Sequence, residues 1–171
     1  VHLASDGTHP PNPVRGVPLA VRVDGVAARF AAARETHPLP VPVLAALEDA
    51  WQDALAAPEW ARTPVWIHGD LHPGNVIARD DRLVALIDFG DLTAGDPAYD
   101  LATAWLTFDR SGRSAFRAAL DGRYDTATWR RARGWAAAFA LILLQHSDDA
   151  PGYASLARDA AAEIATEAKS T

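Results

Sequence analysis

The sequence predicts a mainly helical α+β domain with one small β-hairpin near its centre, and three observations carry that expectation. Apolar residues recur at helical spacing before residue 56 and again after Pro97. Between residues 65 and 87 short β-prone runs, bounded by turn residues, replace that period. The chain has 171 residues, 49% apolar and 22% charged, which suits one ordinary globular domain and is short for two.

In chain order, residues 1–19 are Pro-rich and aperiodic and read as an irregular lead-in to a domain spanning 20–171. An Ala-rich stretch over 20–34, with Arg on one side, predicts a first helix. The run His37-Pro38-Leu39-Pro40-Val41-Pro42 must end it, because proline cannot continue a helix and restricts the residue before it. Pro42 fits the first turn of a second helix, whose core face is Leu44, Leu47, Trp51 and Leu55. Residues 65–68 form a first β-run. Residues 76–78 and 83–87 form two more, joined by a turn at Asp80-Asp81-Arg82. After Pro97 helices are expected over 98–108, 114–120, 128–146 and 152–169, with Thr128 as an N-cap. The third of these presents Trp135, Phe139, Ile142 and Leu143 to the core, while Arg130, Arg131 and Arg133 form a solvated face. Trp105 and Trp129 fit either core or surface.

Composition narrows the function. A formal charge of −6 argues against nonspecific nucleic-acid binding, which needs a basic face, and suits a cationic small molecule better. With no Cys there is neither a disulfide nor a thiolate metal site. Residues 1–16 lack the apolar core of a signal peptide. The longest apolar run, 136–144, falls far short of the roughly 20 residues of a membrane span, so a cytoplasmic protein is expected. The opening Val-His-Leu, in a chain with no Met, predicts either a start read as valine or sequence lost upstream.

The chemistry lies in His68-Gly69-Asp70-Leu71-His72-Pro73-Gly74-Asn75 beside Ile87-Asp88-Phe89-Gly90-Asp91. A strand delivers Asp70 into a loop stiffened by Pro73, and the next hairpin ends at Asp88, so Asp70, Asn75 and Asp88 can meet at one edge. Phosphoryl transfer needs a carboxylate to orient and deprotonate an acceptor hydroxyl and hard oxygen ligands to hold Mg²⁺ against the triphosphate of ATP or GTP. Asp70 is the expected base, and Asn75 and Asp88 the metal ligands. Asp and Asn are also common turn residues, but their joint spacing here argues for the site. His68 reads as a core histidine at a strand end; His72 either touches phosphate or caps the loop. Asp91 and Asp96 either approach the metal or the substrate, or serve their turns. A rival reading sets His68, Asp70 and His72 on one side of a strand around Zn²⁺ or Fe²⁺, as in a metal-dependent hydrolase.

The spacing of His68-Gly69-Asp70-Leu71 to Asn75, followed by Asp88-Phe89-Gly90, matches the protein-kinase pattern H-R-D-L-x-x-x-N with D-F-G. Gly69 in place of Arg, then His72-Pro73-Gly74 and later Gly95-Asp96-Pro97-Ala98-Tyr99-Asp100-Leu101-Ala102, resembles the aminoglycoside phosphotransferase family. The likeness is strong over 65–108 and thinner elsewhere. It implies the C-terminal lobe of a kinase-like fold, with Asp100 bracing the catalytic loop and a hydroxyl of an antibiotic or small metabolite as phosphate acceptor. It also implies an N-terminal lobe of strands with a Gly-rich loop, a Lys and a paired Glu. That lobe is absent here: 64 residues precede Val65, and the single Lys is Lys169. The chain alone is therefore expected to transfer phosphate poorly or not at all, and to self-associate through an exposed cleft. The alternative is a non-catalytic, small-molecule-binding remnant of a kinase. Asp148-Asp149 follows a helix end near where the family recognises cationic substrates, and equally suits a solvated loop.

Overall fold

Prolines and caps set the helix boundaries in the computed structural model, which describes residues 2–36, 38–80, 82–145 and 151–168. Asp81, Asp148, Asp149 and Lys169 lie outside the described residues. A 3₁₀ turn at Leu19–Arg22 leads into α1 (Val23–Thr36), and α2 (Val41–Leu55) starts with Pro42 in its first turn. Leu44, Leu47 and Trp51 are buried on the expected face of α2, and Leu55 packs beside them, half-buried. Next come β1 (Val65–Ile67), β2 (Val76–Arg79), β3 (Arg82–Leu86) and β4 (Thr93–Gly95).

The hairpin of β2 and β3 forms where the alternation places it, with Val76 opposite Leu86. An unforeseen pairing joins β1 antiparallel to β4, Ile67 opposite Thr93. Three residues of Thr-Ala-Gly carry no strand pattern; they become a strand because the β1 backbone needs a partner. On its other edge β1 pairs with the lead-in: Trp66 N–H donates to Leu3 O at 2.8 Å and Ser5 N–H to Pro64 O at 2.8 Å.

The expected helix over 98–108 is two pieces, α3 (Ala98–Leu101) and α4 (Thr103–Thr107), joined at Ala102, which keeps helical dihedrals. α5 (Arg110–Ala119) starts earlier than predicted because Asp109 caps it, accepting the Gly112 N–H at 2.8 Å. α6 (Thr126–Gln145) is also capped by an Asp: Asp125 Oδ1 accepts from Thr128 N at 2.8 Å and from Thr128 Oγ1 at 2.7 Å. Thr128 is thus the partner of the cap instead of the cap itself. α7 (Pro151–Ala168) closes the helical body. None of the described helices is long and apolar enough to cross a membrane.

The core lies where α2, α6 and α7 meet, walled by α3 and α4. Trp135 packs at 6.3 Å from Trp51, 4.7 Å from Tyr99 and 5.7 Å from Phe139 (ring centroids). Farther along α6 it is Leu141 that is wholly buried, whereas Ile142 and Leu143 are only half-buried. Trp105 and Trp129 are core residues. The solvated arginine face does not hold at Arg131, which is buried against the turn before α3. Its Nε lies 2.6 Å from Asp96 Oδ2, and it also donates to Pro58 O and to Thr128 Oγ1. Arg130 pairs with Asp53 at 2.7 Å, and Arg133, half-buried, donates to Ile164 O at 3.0 Å. Helical phase alone does not show which polar groups a face will meet.

Candidate active site

The site begins where β1 runs out. Gly69 has φ +83, and a Cβ there would lie 2.3 Å from Asp91 O, so both backbone conformation and space call for glycine. Asp100, buried in α3, accepts two successive loop N–H groups: His68 N–H on Oδ2 at 2.7 Å and Gly69 N–H on Oδ1 at 3.1 Å. The arrangement clamps the entry of the loop to the helical core. His68 Nδ1 accepts the Asp70 N–H at 3.3 Å, which leaves Nε2 to donate to Ile87 O at 2.9 Å. Its ring packs at 4.7 Å from Phe89, so His68 links the loop to the end of the hairpin.

Asn75 is buried and its amide turns toward Asp70. Nδ2 donates to Asp70 O at 2.8 Å and to Asp70 Oδ2 at 3.3 Å, which leaves the amide oxygen at the other end of the group. Asn75 O accepts the Ile87 N–H at 3.0 Å, a ladder bond that ties Asn75 to the residue before Asp88. Asp88 is exposed and left-handed, with φ +61. His72 Nδ1 accepts the Gly74 N–H at 3.1 Å, capping the Pro73–Asn75 turn, and its Nε2 lies 3.6 Å from Asp70 Oδ2. The His72 imidazole foremost, then the charge of Arg15 and the Asn75 amide, holds the Asp70 carboxyl below the usual carboxylate range, against the opposing effect of partial burial.

The structure adds residues with no local motif to reveal them. Arg15, from the lead-in, donates to Asp91 Oδ2 through Nε at 2.9 Å, with Nη2 2.7 Å from the same oxygen. Its Nη1 donates to Tyr99 OH at 3.0 Å, and Nη2 stands 3.7 Å from Asp70 Oδ1. Tyr153, on α7, sets its ring edge-on to His72 at 5.5 Å. An isolated arginine in a Pro-rich stretch and one tyrosine 81 positions beyond His72 are visible only once the chain has folded.

Other candidates do not converge. Asp96 faces Arg131 and accepts the Ala98 N–H at 3.0 Å, so it serves its turn. His68 and His72 face different partners, and among the described residues no group of three or more His, Asp or Glu side chains could hold a metal ion. The transition-metal site of His68, Asp70 and His72 is not formed, because the loop turns at Gly69 and Pro73 where a strand would have had to continue.

A strand feeding a clamped carboxylate loop, and a hairpin ending in Asp88-Phe89-Gly90 on a helical body, make up the C-terminal lobe of a kinase-like fold. Residues 6–135 match the phosphotransferase enzyme family (APH), and the chain belongs to it. Among solved structures, a thermostable mutant of aminoglycoside phosphotransferase APH(4)-Ia, in ternary complex with AMP-PNP and hygromycin B, is 21% identical. It superposes with a TM-score of 0.50, covering 86% of this chain and 52% of that one. A macrolide 2'-phosphotransferase type I is 23% identical, with a TM-score of 0.46 over 85% of this chain and 54% of its own. The macrolide 2'-phosphotransferase MphH from Brachybacterium faecium, as apoenzyme, is 22% identical, with a TM-score of 0.46 over 89% and 51%. The chain spans about half the length of the solved structures it matches.

Proposed function

We propose that the chain is the catalytic and acceptor-binding lobe of a phosphotransferase that moves the γ-phosphoryl group of ATP or GTP to a hydroxyl of a small molecule. The observation that carries this reading is the junction of Asp70, Asn75 and the hairpin end. Asn75 binds Asp70 through its side chain and, through its backbone, the residue before Asp88. Asn75 thus links the carboxylate that would take a proton to the hairpin end that carries an exposed carboxylate suited to a metal. Asp70 would accept the proton of the acceptor hydroxyl, kept ionised by His72. The Asn75 amide oxygen and the Asp88 carboxylate fit Mg²⁺, since both are hard oxygen donors and Mg²⁺ takes one or two such groups beside phosphate and water. When bound, Mg²⁺ would neutralise charge on the β- and γ-phosphates. Asp100 and His68 support the reading by fixing the loop from behind.

The acceptor is a hydroxyl-bearing antibiotic, as the names of the structural neighbours suggest, or a comparable metabolite. A net charge of −6 suits a cationic one. Such an enzyme works where nucleotide triphosphate is abundant, in the cytoplasm. The described residues hold no Gly-rich strand lobe, so the 171-residue chain by itself is proposed to turn over poorly. Two measurements test the proposal. Mn²⁺ titration should show binding that weakens in Asn75→Ala and Asp88→Ala; equal affinity in all three would sink the metal assignment. Transfer from ATP to hygromycin B or a macrolide, measured on the full-length gene product, should fall about 10²–10⁴-fold in Asp70→Asn. Unchanged turnover in that variant would remove Asp70 as the base.

A further inference from the structure

We infer that Arg15 is a positioning residue that keeps divalent metal off the catalytic base, by holding its guanidinium in the gap between Asp70 and Asp91. The inference rests on the phosphotransferase reading of the site and concerns a residue outside both motifs.

The base and one proposed metal ligand are in contact. Asn75 touches Asp70 through Nδ2 at 3.3 Å and would offer its amide oxygen to the metal, so a divalent cation held there would have a second carboxylate for a neighbour. A carboxylate oxygen that ligates metal is a poor proton acceptor, because the lone pair that would take the proton is committed to the cation. Asp91 sharpens the difficulty. Its carboxylate and that of Asp70 both lie within 4 Å of a single nitrogen, Arg15 Nη2, at 2.7 and 3.7 Å. Two carboxylates so placed, with nothing between them, would form a second hard-oxygen site centred on the base.

Arg15 fills that place with a cation that cannot be a ligand and stays protonated at any working pH. It is held from several sides. Nε and Nη2 both engage Asp91, Nη1 engages the buried Tyr99 hydroxyl, and Asn12 Nδ2 fixes the other Asp91 oxygen at 3.3 Å. The strap that carries Arg15 is itself anchored: Thr93 Oγ1 donates to Pro10 O at 2.7 Å, and Gly16 packs so tightly on Gly95 that a Cβ there would meet Gly16 O at 2.2 Å. With Asn75 and His72 facing Oδ2 and Arg15 facing Oδ1, both oxygens of the base look toward nitrogen donors. Arg15 thereby separates the two tasks of the site, metal at Asn75 and Asp88, proton at Asp70.

The test uses Mn²⁺ with the 171-residue chain, counting bound ions by electron paramagnetic resonance and mapping them by paramagnetic broadening of amide signals. Wild type should broaden around Asn75 and Asp88 alone. Arg15→Met, which keeps the packing of the stem, should gain an ion centred on Asp70 and Asp91, at least about tenfold tighter than any further site of wild type, since the neighbouring positive charge is gone. The gain should vanish in the double variant with Asp91→Asn and be absent in Arg15→Lys. Arg15→Gln, which drops the charge but keeps a donor for Asp91, serves should the Met variant not fold. An unchanged ion count and broadening map in a folded, uncharged variant would overturn the inference. Asp88→Ala separates the two ideas: if it leaves the wild-type map intact, the metal ligands are wrong, while the Arg15 variants still decide the role of Arg15.

Discussion

Arg131 and Asp96 show how much one buried pair can hold at the residue scale. The guanidinium joins α6 to the turn before α3 and also reaches Pro58 O, so three chain segments end on one side chain. Removing it leaves the Asp96 carboxylate largely buried without its counter-charge, which costs more than the pair itself contributes. Arg131→Ala should lower stability by roughly 3–5 kcal/mol, read as a drop in the urea midpoint with an unchanged slope. Combining Arg131→Met with Asp96→Asn should recover part of that loss. A single variant as stable as wild type would show the pair to be incidental.

At the scale of the element, the start of α6 depends on a carboxylate the helix does not contain. Asp125 is held below the ordinary carboxylate range by the Thr128 hydroxyl first and the Thr128 N–H second, with burial opposing weakly. A carboxyl whose folded pKa is depressed stabilises the fold above its unfolded pKa and loses that contribution as pH falls through the folded value. Asp125→Ala should therefore cost about 1 kcal/mol at pH 7, and the difference from wild type should shrink once the pH drops below the carboxylate range. Chemical denaturation at several pH values reads this directly; a pH-independent difference would rule out the cap as its source. The middle of α6 makes a different demand. A Cβ on Gly134 would sit 2.2 Å from Ala54 Cβ, so α6 and α2 meet there as glycine on alanine with no room for a side chain. Gly134→Ala should push the helices apart at a cost of about 1–3 kcal/mol, despite the higher helix propensity of alanine. A rise in melting temperature would contradict that packing.

Across the whole molecule, the hairpin stands out as a polarised feature. Ile77, Leu83, Val84, Ile87 and Phe89 are all substantially exposed, Leu83 at 65% and Phe89 at 52%. Beneath it, between the hairpin and α5, lies an apolar cavity of about 710 Å³ that takes in Leu83, Leu86 and Phe116. Contiguous apolar surface of this kind marks an interaction site or an association hazard. The chain should therefore self-associate as concentration rises, and Leu83→Lys should shift sedimentation toward monomer. A wild-type chain that stays monomeric at high concentration would show that the exposed face is tolerated.

The site motifs were legible because they are local. His68 to Asn75 lies within one loop, and the spacing of Asp88 follows from a hairpin that period-two alternation and turn residues already specify. Helices α2, α6 and α7 could be read for the same reason, since their periodicity is written residue by residue. Arg15 meeting Asp91, β4 pairing with β1, Arg131 turning inward and Asp125 displacing Thr128 as cap were not readable. Each depends on which distant group stands opposite, and a backbone or side-chain polar atom takes the partner that folding brings near, whatever its place in the sequence. The sequence by itself determined which acidic, amide and imidazole groups the loop carries; only the tertiary structure decided what surrounds Asp70, because electrostatic neighbours are set by distance in space and not along the chain.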